Sequence, residues 1–131
     1  MAIRQDDHVR QGETWTHTHV HRTAAGIVNL TGYTARMMVK AGFRDSSQAY
    51  LSTGSDTQGG SIVLGGSAGT IIRSMSAAQT EALADSAVLI PTEEVCDPTL
   101  IYRYDLEITS PAGVVTRVLE GRFFLHRGVT V

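Results

Sequence analysis

Polar and apolar positions alternate most cleanly between Ile101 and Thr109, where IYRYDLEIT sets Tyr102, Tyr104, Leu106 and Ile108 against Arg103, Asp105 and Glu107. Side chains on a strand point to opposite faces in turn, so this period of two predicts an antiparallel strand with one face buried and one wet. The same period recurs in YTARMMVK, where Tyr33, Ala35, Met37 and Val39 share a face, and in Thr14–His21, which is rich in β-formers and free of glycine and proline. The break AAGIVNLTG between these two strands, with Gly26, Asn29 and Gly32, reads as a hairpin or a corner.

Weaker strand islands follow at Tyr50–Thr53, Ser61–Leu64 and Thr70–Ser74, inside and after a loop-rich stretch, Gly42–Gly69, that holds seven of the 13 glycines. A flexible linker between two domains is the alternative for that stretch, but SIVL and TIIR interrupt it too regularly for a free tether. GGSAG is expected to turn the chain. Helix signal occurs once, in SAAQTEALA at residues 76–84, where Ser76 and Gln79 form a capping box ahead of good helix formers. Pro91 and Pro98 bracket an irregular acidic segment, PTEEVCDP. The turn Ser110-Pro111-Ala112-Gly113 then leads into Val114–Leu119, and EGRFFLHRGVTV supplies a further strand. The sum is seven to nine short strands and one helix near 76–84, in an all-β antiparallel sandwich or partly open barrel. Residues 1–131 form one domain on this reading, with 1–12 an extended arm. Both that arm and Gly42–Gly69 are poor in apolar side chains, so they are expected to draw their order from partners.

Composition narrows the role. The 131 residues are 42% apolar and only 18% charged, which favours a partner covering some of the surface. Eleven basic and 13 acidic side chains leave a formal charge of −2, so no broad positive field for nucleic acid is expected and no local patch stands out along the chain. The lone Cys96 excludes an intrachain disulfide, a CxxC redox pair and a zinc knuckle, and reads as a small residue buried or half-buried. MAIRQDDHVRQGE lacks the regions of a secretory signal, and no apolar run approaches the ~20 residues that span a bilayer, so assembly in the cytoplasm without a membrane span is expected.

Four stretches taken in order, RQGETW at 10–15, NLTGYTARMMVK at 29–40, YRYDLEIT at 102–109 and VVTRVLEGRFFLHRGVT at 114–130, resemble the immunoglobulin-like β-sandwich of tailed-bacteriophage virion proteins, typified by the N-terminal domain of the baseplate upper protein. In that family a Gly-Asp/Glu-Thr-aromatic start opens the first long strand and a Leu-Thr-Gly-Tyr corner begins the next. A Tyr-Asp-Leu strand then pairs through a glycine turn with a strand ending in Val-Thr. The resemblance implies a structural virion component, built into a tail, baseplate or head-to-tail connector as a ring of copies and in contact with other virion proteins. No long helical or receptor-binding segment follows the sandwich, so the receptor contact of longer relatives is not expected. Whatever the family, Gly12, Gly32 and Gly113 read as a tight strand entry, a corner and a hairpin turn.

The candidate chemistry is concentrated in WTHTHVHR, which places three of the five histidines, His17, His19 and His21, on one strand face with Trp15. Two alternate imidazoles, His17 and His19, can converge on a zinc or iron ion, but 17 and 21 lie about 13 Å apart on an extended strand, and nothing in the sequence brings His8 or His126 to them. The competing reading makes Trp15, His17, His19 and His21 an interface, with Trp15 partly buried and the histidines more exposed toward His21. No GxSxG elbow, Walker loop, HExxH or paired-carboxylate arrangement occurs, so neither an enzyme nor a cofactor is expected. Asp105 and Glu107 are expected to pair across strands with Arg117 or Arg122. The alternative to a virion assembly protein is an accessory sandwich that binds carbohydrate or metal on its loops.

Overall fold

In a computed structural model, which describes residues 2–40, 47–55, 57, 60–83, 88–90 and 99–126, the strongest alternating stretches lie side by side at the centre of one sheet. In chain order the strands are β1 (Ile3–Arg4), β2 (Asp7–Arg10), β3 (Trp15–Val20), β4 (Arg22–Thr23), β5 (Gly26–Ile27), β6 (Thr34–Lys40), β7 (Ser47–Ser52), β8 (Ser61–Leu64), β9 (Thr70–Met75), β10 (Val88–Ile90), β11 (Thr99–Thr109) and β12 (Val115–His126). Among the described residues one α-helix, α1 (Ala77–Glu81), follows β9, and a 3-10 turn at Gly66–Ala68 links β8 to β9. The larger sheet runs β12-β11-β6-β7, with β1 and β2 both along β12 and β10 beside β11. The smaller sheet is β3-β9-β8, and β4 with β5 is a separate short hairpin at the corner between β3 and β6.

The two sheets face each other across one core, Met37, Val39, Leu51, Tyr102, Leu106, Phe123 and Leu125 from the larger and Ile62, Ile71 and Met75 from the smaller. The fold is therefore an all-β sandwich with one helix. Ala35, Met37 and Val39 on β6, and Tyr102, Tyr104, Leu106 and Ile108 on β11, point inward as the alternation requires. The capping box forms as the sequence predicts, with the Gln79 backbone N–H donating to Ser76 Oγ at 3.2 Å and the Ser76 N–H to Gln79 Oε1 at 2.8 Å. Gly12, Gly32 and Gly113 all adopt the left-handed region, at φ 84°, 81° and 89°.

Four expectations change. Twelve described strands replace seven to nine, because β1, β4 and β5 are two residues each and too short to show alternation. The stretch after Gly113 is one strand with a bulge: Leu106 lies opposite Leu119 but Glu107 opposite Arg117, so Val118 is the extra residue and both Val118 and Leu119 are buried. The larger sheet is mixed, since β1 and β2 run parallel to β12, with Ile3 opposite Leu119 and Asp7 opposite Phe123. Order in the first dozen residues and in the Gly-rich middle also comes from the chain itself: Val9, Ala49, Leu51 and Ile62 sit in the common core. The arm is extended, but docked. Cys96, the acidic segment 91–98, residues 41–46 of the middle and the chain beyond His126 lie outside the described residues.

Docking of the arm depends on a bare backbone at Gly121. Between β1 and β2 the Gln5 N–H donates to Glu120 O at 2.9 Å, and the Arg122 N–H donates to Asp6 Oδ1 at 3.0 Å. A Cβ on Gly121 would stand 2.5 Å from Gln5 O and 2.9 Å from Asp6 Oδ1, closer than any side chain tolerates. Gly121→Ala is therefore expected to lever residues 5–7 off β12 and lower stability by about 1–3 kcal/mol, the usual range for overpacking, in urea unfolding.

Candidate functional site

Strand β9 has Ile71, Arg73 and Met75 on its inward face, so period-two geometry places a guanidinium in the middle of an apolar row. Arg73 is 0% exposed. Its counter-ion is Asp7 on β2, itself buried, reached across the sandwich: Arg73 Nη1 donates to Asp7 Oδ2 at 2.6 Å and Nη2 to Oδ1 at 3.1 Å. This bidentate fork joins the central strand of the smaller sheet to the edge of the larger one.

The remaining faces of the guanidinium are filled by soft and aromatic groups. Its central carbon lies 5.2 Å from the Trp15 ring and 5.1 Å from the Tyr104 ring, within cation–π range of both, and Nη1 also meets Met37 Sδ at 3.4 Å. Arg73 Nη2 lies 3.0 Å from His17 Nδ1. A guanidinium has only donors, so Nδ1 is the acceptor and the proton of neutral His17 sits on Nε2. Arg73 Nε is buried without a hydrogen-bond partner among the described residues. The Tyr104 hydroxyl donates to Gln5 O, tying the arm down a second time, and burial together with the charge of Asp7 pushes its pKa well above the ordinary phenol value. Helix α1 holds the link between β2 and β3: buried Thr80 accepts from the Gly12 N–H at 3.0 Å and donates to Glu13 O at 2.9 Å.

Trp15, His17, His19 and His21 do share a face, and it points toward the larger sheet, half-buried at the sandwich rim. Trp15 packs edge-on against Phe123, with centroids 5.7 Å apart. His17 is placed against Arg73, whose charge also acts on His19, and among the described residues no three His, Cys, Asp or Glu groups are placed to hold a metal ion. All three histidines are held below the ordinary pKa of 6.5, first by burial; the Arg73 charge comes next for His17, with Asp7 opposing, and neighbouring histidines come next for His19. His8 and His126 meet each other instead, with Nδ1 and Nε2 3.0 Å apart, on adjacent strands where His8 also stacks on Phe124.

Two hollows lie outside this centre. One, of about 520 Å³, opens at an end of the sandwich between Ile3, His21, Val28, Tyr33, Val114 and Val118. The other, about 560 Å³, is a shallow trough on the outer face of the larger sheet. Around it stand Arg4, Arg36, Lys40, Arg103, Arg117 and Arg122, a local gathering of cations that the even charge balance along the chain did not reveal. Arg117 pairs with Asp105, as cross-strand reasoning expects, but Glu107 pairs with Arg36, and Arg122 faces Arg103 in place of a carboxylate.

The sequence matches no protein-family model and no curated protein. Among the described residues no helix is long and apolar enough to cross a membrane.

The buried centre has the chemistry of a clamp: a charge pair sealed by aromatic rings, and neither of the two hollows described above is lined by Asp7 or Arg73. Removing one partner strands the other, so Asp7→Ala is expected to cost about 3–5 kcal/mol, while Asp7→Leu with Arg73→Met recovers most of it, measured by urea unfolding. The histidines set a pH dependence. The unfolded chain takes protons near 6.5 while the folded chain resists them, so stability present above 6.5 falls as the pH drops through that value and levels off once it passes the lower folded-state values. His17→Gln with His19→Gln should flatten this slope between neutral and mildly acidic pH in the same assay.

Proposed function

We propose that the chain is a structural assembly protein of a tailed-phage virion, acting in a tail, baseplate or head-to-tail connector through contacts between copies and with other virion proteins, and assembled in the host cytoplasm. The observation that carries this reading is where the four family-like stretches fall. GETW opens β3, LTGY forms the corner into β6, and YDL lies in β11, paired with β12 through the Gly113 turn. A strand start, a corner and a hairpin through a glycine turn are what the resemblance implies for these stretches, and this supports the reading. Exposed Ile3, Ile27, Val63, Val114 and Val115 add apolar surface of the kind subunit contacts use. The chemistry of the centre supports the same reading, because its charged and aromatic groups are spent on one another and stiffen the sandwich without opening it to a substrate.

Mass spectrometry and cryo-microscopy of purified particles test this directly. The expected result is peptides of this chain in fixed ratio to the other virion proteins, and multimers of the chain in solution. A strictly monomeric protein absent from purified particles rejects the reading.

A further inference from the structure

The outer face of the larger sheet breaks a pairing rule. Arg103 stands directly opposite Lys40 on one side and Arg122 on the other, so three cations form one row across β6, β11 and β12. Like charges in that relation destabilise a sheet, and with strands about 4.8 Å apart the ends of the row are only about 10 Å from each other. The carboxylates on this face are taken up elsewhere: Glu107 by Arg36 at 3.1 Å, and Asp105 and Glu120 by Arg117 at 3.4 and 3.7 Å. Arg103 has a further partner, but among the described residues no carboxylate lies within ion-pair distance of Arg4, Lys40 or Arg122. Around the trough six cationic side chains face three anionic ones, while the rest of the chain holds five basic and ten acidic residues. By sequence, the excess of acidic residues lies outside the residues of the trough.

We propose that this face is the docking surface for a second copy of the chain, which presents a carboxylate-rich part of its own surface to Arg4, Lys40 and Arg122. The inference rests on the assembly reading and names the contact it uses. A cationic face on each copy and acidic residues elsewhere on the same copy make a head-to-tail contact, and such contacts close into rings. Nucleic acid suits the face less well, because Asp105, Glu107 and Glu120 stand in its floor and would meet the phosphates. Met38, 37% exposed among arginine side chains, gives the trough the Met and Arg chemistry of protein interfaces.

The test is Lys40→Glu with Arg122→Glu in the full chain, followed by sedimentation velocity and mass photometry at about 50 and 500 mM salt. Both substitutions put an opposite charge beside Arg103, so the melting temperature should hold or rise while self-association falls at least about tenfold. Salt should weaken association of the unaltered chain. The variant keeps its acidic surface, so a tagged form should still join the cationic end of unaltered assemblies and stop their growth. Multimers that persist unchanged in the variant and in salt overturn this face and leave the assembly reading standing. A chain that stays monomeric in solution yet is present in particles overturns self-docking alone; one also missing from particles overturns both. Salt-sensitive binding of a duplex DNA probe by a monomer, abolished in the variant, assigns the face to nucleic acid and overturns the proposal.

Discussion

The sandwich depends on one ion pair, Asp7 with Arg73, closed off from water between its two sheets. Apolar contacts could hold these sheets together at many relative positions, because dispersion and burial are indifferent to register. A guanidinium is not. Sliding β9 by one residue would carry Arg73 to the solvent face, and moving β2 along β12 would leave the charge without its carboxylate. The pair therefore fixes which of many compact arrangements is native, whatever its net contribution to stability. Trp15, His17, Met37 and Tyr104 surround the guanidinium and reach it from three different strands, so the strands are positioned by what they present to it.

Much of the larger sheet was legible because its central strands have one dry face and one wet face. In β11 and β6 the period of two is written in the side chains themselves, and the Ser76–Gln79 capping box is likewise local. The inward face of β3 was legible only through Trp15, since Thr16, Thr18 and Val20 are no more oily than Trp15 and its histidines. What decides it is Arg73 and Phe123, both distant in sequence. The signal for the centre was present in part: Arg73 sits between Ile71 and Met75 on a short strand, at a position where the pattern demands an apolar residue. Its partner, 66 residues away in the polar run QDDHVRQ, gives no local sign of burial. Parallel pairing of that run with β12 was hidden for the same reason, as was the row of cations, which appears only once three strands are set in register.

Local rules fail here twice, and the two failures differ in kind. In the core, a charge occupies an apolar position but is fully answered by its neighbours, apart from one nitrogen. On the outer face, like charges stand side by side and their answer is incomplete within the described chain. The first exception fixes a single arrangement of the sheets; the second leaves unspent electrostatic energy at the surface, available to whatever supplies the missing carboxylates.

The parallel seam between β2 and β12 also dictates an order of events. Residues 7–10 leave the ribosome more than a hundred residues ahead of the strand they lie against, so they must wait, unpaired, while both sheets take shape around their absence. Closing so long a loop is entropically late, and until it closes Arg73 has no carboxylate. The last stitch in the backbone is thus also the neutralisation of the core. A nascent chain arrested before β12 holds an unanswered positive charge where its interior should be, and cannot rest halfway.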